Sequence, residues 1–476
     1  MKEPTRVAGA RWVLRGALLF ALAFANLNDI WSPDVVPNTL FAWTVLREGD
    51  FDHDEFSGIP RDSYFFRPCG VVDPARRYPS GGSPRSPGGP PPPGPYDHVC
   101  SIFPPGISLL ALPVLAPFVL AGVPASDGGA LIRAGHLAAA LIEVFAALLL
   151  WAVVRRFTTD RWALLLLLLY WLATSVRTVA SQALWQHAGV HLALALALWL
   201  MLHERPPSRR RELLAGLALG FGVVVRQTSA LPALLAARWG PRGPRMSGIA
   251  LLGGVLVGAL PLFAYQQLAF GSALESGYGA KPFDAPVLSG LYGLLLSPSR
   301  GLFIYEPWTI AGLAGLMLAW RREGHVALRL RGLSIAWLAT LFLYASYVEW
   351  WGGRVFGPRF LDDLAPVVVA ASAWGVGQGL LRGPWALRAF ALAAAWSLVL
   401  FNAAALVYDP AGWDTLPTNV NFDPGRLFVW SDPQWLAVLS SGRWSEPAVL
   451  AAALLSAVVL ALLLRVELRT RAILGT

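Results

Sequence analysis

The chain is poor in charge, almost without lysine, and has two cysteines. Only 14% of its 476 residues are charged, while 55% are apolar and 21 are tryptophan. That balance excludes a water-soluble globule and requires a polytopic membrane protein. The near absence of lysine beside abundant arginine reflects a GC-rich coding sequence more than a function. No P-loop, GxGxxG, CxxC pair or HExxH is present, so nucleotide-driven transport and zinc-peptidase chemistry lack their residues. No internal repeat is seen either, although paired halves are common in transporters.

What is present is a ladder of apolar runs with arginines between them. The net charge of +9 points toward nucleic acid only if the distribution is ignored. The basic residues sit in short clusters between apolar runs, as topology signals do, and no nucleic-acid partner is expected. The runs are Ala17–Leu27, Ile107–Val123, Ala130–Val154, Trp162–Ala173, Leu184–Leu202, Leu213–Val225, Leu231–Ala237, Ile249–Phe270, Trp308–Ala319, Leu333–Tyr347, Leu364–Gly379, Trp385–Val407 and Pro447–Leu464. Ala23-Phe-Ala25 resembles a signal-peptidase site, but the many later runs favour Ala17–Leu27 as a first membrane helix with its basic end in the cytoplasm.

Positive charge in short loops marks the cytoplasmic side. The alternation holds if the Pro-rich run Ile107–Val123 does not cross, and if Leu213–Ala237 enters and returns near Arg226. About twelve crossings then follow, with both termini cytoplasmic. Arg155-Arg156, Arg209–Arg211 and the pair Arg329 and Arg331 fall among the inner clusters. The outer loops are Asn26–Gly106, Ser175–His187, the Arg226 turn, Gly271–Pro307, Glu349–Asp363 and Tyr408–Glu446. Within the first, residues 28–106, the Pro/Gly/Ser tract 79–95 cannot pack a core. Cys69 and Cys100 flank that tract, and in an oxidising compartment they would close it as a disulfide. The whole chain, 1–476, is expected to be one transmembrane domain.

The outer loops collect the chemistry. Asp34, in Ser32-Pro-Asp-Val-Val-Pro37, suits either an N-cap for a segment Val36–Arg47 ended by Gly49, or a carboxylate at the membrane boundary that takes a proton from an acceptor hydroxyl. Asp29, Asp50, Asp52, Asp54 and Glu55 are alternatives to it. With His53, the last four have the oxygen-rich character of a divalent-cation site, but a solvated loop explains them as well, so no metal or cofactor is assigned. Arg226, Arg300, Arg354 and Arg359 lie at outer ends of apolar runs, against the positive-inside tendency. Either they pair with Glu306, Glu349 or Asp362-Asp363, or they clamp a phosphate with their planar forks of donors. Ser297–Tyr305 and Glu349–Phe360 are Gly/Pro-broken loops rich in rings, suited to headgroups and sugar faces. His187 and Tyr305 are candidate substrate contacts.

These residues resemble the GT-C membrane glycosyltransferases, the superfold of protein O-mannosyltransferases and the lipid A aminoarabinose transferase, and among them bacterial family 39-type members. The resemblance runs through Pro33-Asp34 to Gly49-Asp50, Phe103-Pro-Pro-Gly106, Leu184-Trp-Gln-His187, Val225-Arg-Gln-Thr228, Phe270-Gly271, Gly277-Tyr-Gly279, Ser297–Tyr305 and Gly357-Pro-Arg359. It covers most of the chain in short motifs. It implies an all-α GT-C-type bundle whose large first extracytoplasmic loop carries short surface or re-entrant helices. It also implies a polyprenyl-phosphate-sugar donor, inversion at the anomeric carbon, and Asp34 as base. The acceptor (lipid, glycan or protein) is not implied, and the place is a bacterial inner membrane with its active site facing the periplasm. Many relatives have Asp-Glu where this chain has Asp34-Val35, so no second adjacent carboxylate is available. Trp350-Trp351-Gly352 lacks the Asp of the oligosaccharyltransferase WWDYG motif, and that assignment is not made. A flippase or transporter, or a polymerase or ligase of lipid-linked saccharides, is the other class of reading.

Overall fold

The computed structural model describes residues 5–26, 30, 32, 34–53, 56, 65–69, 98–203, 208–238, 246–278 and 283–474. The Pro/Gly tract, Asp29, Asp54, Glu55 and Gly279 lie outside the described residues. Five described helices are long and apolar enough to cross a membrane: Gly128–Val154, Gly248–Phe270, His325–Ser346, Pro384–Val407 and Pro447–Val466. Four shorter apolar helices accompany them, so the chain is a helical, multi-pass membrane protein by length and composition.

In chain order the helices are α1 (Thr5–Phe24), α2 (Val36–Trp43), α3 (Gly106–Leu120), α4 (Gly128–Val154), α5 (Asp160–Leu172) and α6 (Gln186–Met201). Then come α7 (Arg209–Val225), α8 (Ala230–Arg238), α9 (Met246–Phe270), α10 (Val287–Leu296), α11 (Leu302–Tyr305) and α12 (Ile310–Leu318). The last are α13 (His325–Ser346), α14 (Arg359–Asp362), α15 (Ala365–Gly377), α16 (Pro384–Val407), α17 (Gln434–Leu439) and α18 (Pro447–Leu474). α1 packs on α4 and α18, α4 on α6, α6 on α7, α12 on α15, and α8 on α13. In a lipid setting such contacts depend on close packing rather than hydrophobicity. Gly216 and Gly220 of α7 meet Gly254 and Gly258 of α9 so closely that a Cβ on Gly220 would lie 2.2 Å from the Val255 carbonyl. Any side chain there forces the helices apart.

α3 carries Pro113 and Pro117 and has 15 residues. At 1.5 Å per residue it reaches roughly 22 Å, against a hydrocarbon core of ~30 Å. α7 ends at Val225, the turn Gln227–Ser229 follows, and α8 returns for only nine residues. Arg329 departs from the loop charge expected of it. It lies within α13, buried, with Nη2 2.5 Å from Glu212 of α7, and it donates to the Ala236 carbonyl. A buried pair needs a partner, and the α7–α8 return supplies both acceptors.

The first outer loop has a small sheet. β1 (Phe66–Cys69) pairs antiparallel with β2 (His98–Ser101), Arg67 opposite Cys100 and Cys69 opposite His98. Cys69 and Cys100 are joined as a disulfide, as their place beside the tract predicts. The bridge packs with Phe41, Tyr265 and Ala269, and the Tyr265 hydroxyl donates to the Ser101 carbonyl at 2.9 Å. The hairpin is thereby fixed to α2 and the outer end of α9.

Candidate functional site

The site is assembled from six chain segments, several of whose junctions need glycine. A Cβ at Gly106 would lie 2.4 Å from the Val225 nitrogen, and one at Gly189 would meet the Val225 side chain at 2.8 Å. The Pro-Pro-Gly entry of α3 and the start of α6 thus press against the last turn of α7 and set where Arg226 leaves it. Gly277 does the same for the segment Gly271–Tyr278, whose backbone lies against Ile102.

Asp34 is not an N-cap. The residue in that position is Val35, and no side chain caps α2. The helix runs to Trp43, continues as a wider π-type turn over Thr44–Glu48, and stops at Gly49 with φ 81°. Asn38 braces the first turn by donating to the Asp34 carbonyl at 3.0 Å and to the Leu184 carbonyl at 2.9 Å. That bond fixes Asp34 relative to Trp185. The Asp34 carboxylate turns to Arg359, whose Nη2 donates to Oδ2 at 3.3 Å. Its side chain is 29% exposed, against 9% for Arg359, so the carboxylate is the open member of the pair.

Arg359 opens α14, with its guanidinium 4.7 Å from the Trp185 ring centre and 5.4 Å from Phe360. Its Nε and Nη1 are buried and have no hydrogen-bond partner. Gly352 and Gly353, with φ 74° and 81°, let the preceding loop come close: a Cβ on Gly352 would lie 3.0 Å from Arg359 Nε. Burial lowers the Arg359 pKa from the usual guanidinium range, which Asp34 partly opposes.

Arg226 and His187 converge on Asp363. Arg226 Nε lies 3.3 Å from Asp363 Oδ2, and His187 Nδ1 lies 2.7 Å from Oδ1. The Tyr344 hydroxyl donates to Asp363 Oδ2 at 3.2 Å. Arg226 Nη1 also lies against the His187 ring, 3.3 Å from Nδ1 and 3.4 Å from Nε2. Burial alone would raise the Asp363 carboxyl, but Arg226 and His187 outweigh it and pull it down to about 2. Arg226 is in turn held above the usual guanidinium range, Asp363 outweighing the burial. Tyr278 closes the site from the Gly271–Tyr278 segment, its hydroxyl 3.3 Å from Gln186 Oε1.

The remaining candidates sit elsewhere. Arg300 is fully buried with all its nitrogens occupied. It donates to the carbonyls of Ser299, Trp351 and Gly353, to Gln434, and to Asp414 Oδ1 at 2.6 Å. Tyr305 is buried in the same knot, its hydroxyl 3.3 Å from Gln434. The knot ties the loops 297–305, 349–357 and 409–434 together, which is the acid-pairing alternative and leaves no donor for phosphate. Arg354 is exposed, near Thr415. Of the acidic run, Asp52 pairs with His98 at 3.1 Å. Among the described residues no group of three His, Cys, Asp or Glu side chains is placed to hold a metal ion.

Trp185, Tyr278, Tyr344 and Asp363 were not singled out from sequence as site residues. Asp363 carried a signal in the Asp362-Asp363 doublet beside Gly-Pro-Arg; the aromatics carried none beyond an interfacial belt. Glu143 and His191, lone polar residues inside apolar runs, are the kind of intramembrane ionisable group that marks a working site. They bond each other at 2.6 Å.

No protein-family profile matches the chain, and no curated protein matches it. Among solved structures it is similar to the Archaeoglobus fulgidus oligosaccharyltransferase in complex with zinc and sulfate, at 14% identity and a TM-score of 0.43, over 89% of this chain and 57% of that one. The same enzyme tethered through a disulfide to an acceptor peptide with the NVT sequon gives 13% identity, a TM-score of 0.43, and 89% and 59% coverage. The chain thus spans under two thirds of those proteins.

Proposed function

We propose that the protein transfers a sugar from a polyprenyl-phosphate-linked donor to an acceptor hydroxyl at the outer face of a bacterial inner membrane, with inversion. The observation that carries this reading is one guanidinium with two neighbours to serve. Arg359 touches Asp34 through Nη2, while its Nε and Nη1, buried beside Trp185, have no partner. Unpaired buried donors of this kind call for an explanation, and a phosphate oxygen accepting a charge-assisted N–H bond from one of them supplies one.

In this reading the Asp34 carboxylate takes the proton of the acceptor hydroxyl as its oxygen bonds to the anomeric carbon. The bond from that carbon to the phosphate oxygen breaks, and the polyprenyl phosphate leaves with its electron pair against Arg359. The donor is already activated, so the protein contributes alignment, a base and cationic hydrogen bonding. Arg226, neutralised by Asp363, aligns the site with His187. Phosphate reaches Nε only if the Gly352-Gly353 segment moves, and the two left-handed glycines are where the backbone gives.

The about twelve crossings, the outward-facing site and the resemblance to GT-C enzymes belong to the same reading. The test is sugar release from polyprenyl-phosphate donors by purified protein in detergent or vesicles, followed by mass spectrometry. Release dependent on both Asp34 and Arg359 is expected. Translocation of intact donor across the bilayer, with no sugar released, would replace this reading with the flippase.

A further inference from the structure

A second group of carboxyls lies behind the site. Glu306, at the end of α11, and Asp362, at the end of α14, are 1% and 2% exposed. The two carboxyls lie close enough to act on each other. Both line a small cavity of about 10 Å³ whose other walls include Trp308, Trp337 and Leu361. That volume is about one water probe. Asp362 Oδ2 also accepts the Ser175 N–H at 2.7 Å, and Glu306 Oε1 is buried without a partner.

We propose that Glu306 carries a proton that it shares with Asp362, and that this shared proton holds α14, and with it Arg359, in position. Two ionised carboxylates in contact repel strongly in a low-dielectric setting, and one proton between them turns the contact into a hydrogen bond. Asp362 already accepts from a backbone N–H, so the proton resides on Glu306. A neutral acid also tolerates an unpaired buried oxygen far better than a carboxylate does.

The surroundings agree. From α6, His191 donates through Nε2 to the Asp362 carbonyl at 2.7 Å, while its Nδ1 faces Glu143 of α4. From α5, the Tyr170 hydroxyl donates to that same Glu143 at 2.9 Å. His191 thus bonds the Asp362 backbone and not its carboxyl, and among the described ion pairs no arginine reaches either carboxyl. Burial, then the charge of Asp362, push the Glu306 carboxyl well above its ordinary range, and burial raises Asp362.

α14 is four residues long, with Arg359 at its first position and Asp362 at its last. One turn of helix cannot shift one end without the other, so Glu306 is a positioning residue for the anion-holding guanidinium. This inference rests on the role given to Arg359 above, and its test separates the two.

Infrared difference spectra of wild type and Glu306→Gln should show a protonated-carboxyl stretch that the substitution removes. A raised carboxyl pKa means the folded state holds a proton that the unfolded chain releases above about pH 4.3. Stability therefore declines as pH rises from there toward the folded pKa. Glu306→Gln, neutral at every pH and able to donate, should flatten that decline and keep transfer near the wild-type rate. Glu306→Ala should lower transfer on the order of 10²-fold through displaced Arg359. A stretch unchanged in Glu306→Gln, or the same pH slope in both proteins, overturns the shared proton. A normal stretch and slope with transfer unaffected in Glu306→Ala overturns the positioning role. If wild type shows the stretch and slope yet releases no sugar, the transferase reading fails while the shared proton stands.

Discussion

Arg359 and Asp34, 325 positions apart in the chain, meet at 3.3 Å. The separation is longer than the 2.7–2.9 Å usual for an arginine on a carboxylate. The pair is aligned without being tightly closed, which is what the proposed roles of a base and a phosphate-holding guanidinium call for.

Asp34→Asn keeps the size of the side chain and its bond to Arg359. Folding and donor binding should survive while turnover falls by at least ~10²–10⁴-fold, the usual contribution of a general base. Arg359→Lys should weaken donor binding, because an ammonium cannot replace the planar fork. Titration with donor and single-turnover kinetics separate the two effects. Near-normal turnover in Asp34→Asn with loss in Asp50→Asn would move the base to the far end of α2.

Arg300 and Asp414 should behave differently. Both are buried, 2.6 Å apart, and removing one leaves the other charge uncompensated. Asp414→Ala should cost roughly 3–5 kcal/mol of stability, seen as a lower melting temperature in detergent. Folded protein that survives should bind donor normally, whereas a selective change in donor affinity would return Arg300 to the phosphate site.

Cys69 and Cys100 are bridged across a separation of 31 residues. Loop-closure entropy predicts a stabilisation of ~3–4 kcal/mol. Protein from an oxidising compartment should take up no alkylating agent until reduced, and Cys69→Ser should melt earlier. Two alkylated thiols in unreduced protein would remove the bridge.

His53 is buried beside Phe66, its Nε2 3.4 Å from the Pro37 carbonyl. Burial lowers its pKa to about 4, against the raising effects of that bond and of Asp52. The unfolded chain takes up the proton near pH 6.5 and the folded one does so only near pH 4, so stability is lost as pH falls through that interval. The loss is at most on the order of 3 kcal/mol. His53→Gln should flatten this acid limb in melting experiments; an unchanged limb assigns it to other groups.

Thr159 and Ser208 lead into α5 and α7 beside the inner arginine clusters. Single cysteines there should resist a membrane-impermeant reagent in intact cells, the native pair being occupied with each other. Labelling of either from outside would invert the proposed topology.

Residue chemistry by itself determined a good deal. Low charge and repeated apolar runs require a helical membrane protein, and two cysteines beside a Pro/Gly tract anticipate their bridge. An acid and several arginines at outer helix ends name the groups a phosphate-linked donor would need. These features are legible because each depends on neighbours within about one turn or one loop. The division of the arginines was decided only by tertiary structure. Arg300 and Arg359 have the same Gly/Pro-rich settings, yet one is enclosed by Asp414 and Gln434 while the other keeps two N–H groups free. Whether a guanidinium is satisfied depends on which distant segment reaches it. That is set by helix crossings such as Gly106 on Val225 and Gly220 on Val255, where the lack of a side chain brings remote backbones into contact. Nor does any local pattern record the nearness of Glu306 to Asp362, which line one cavity from two distant segments.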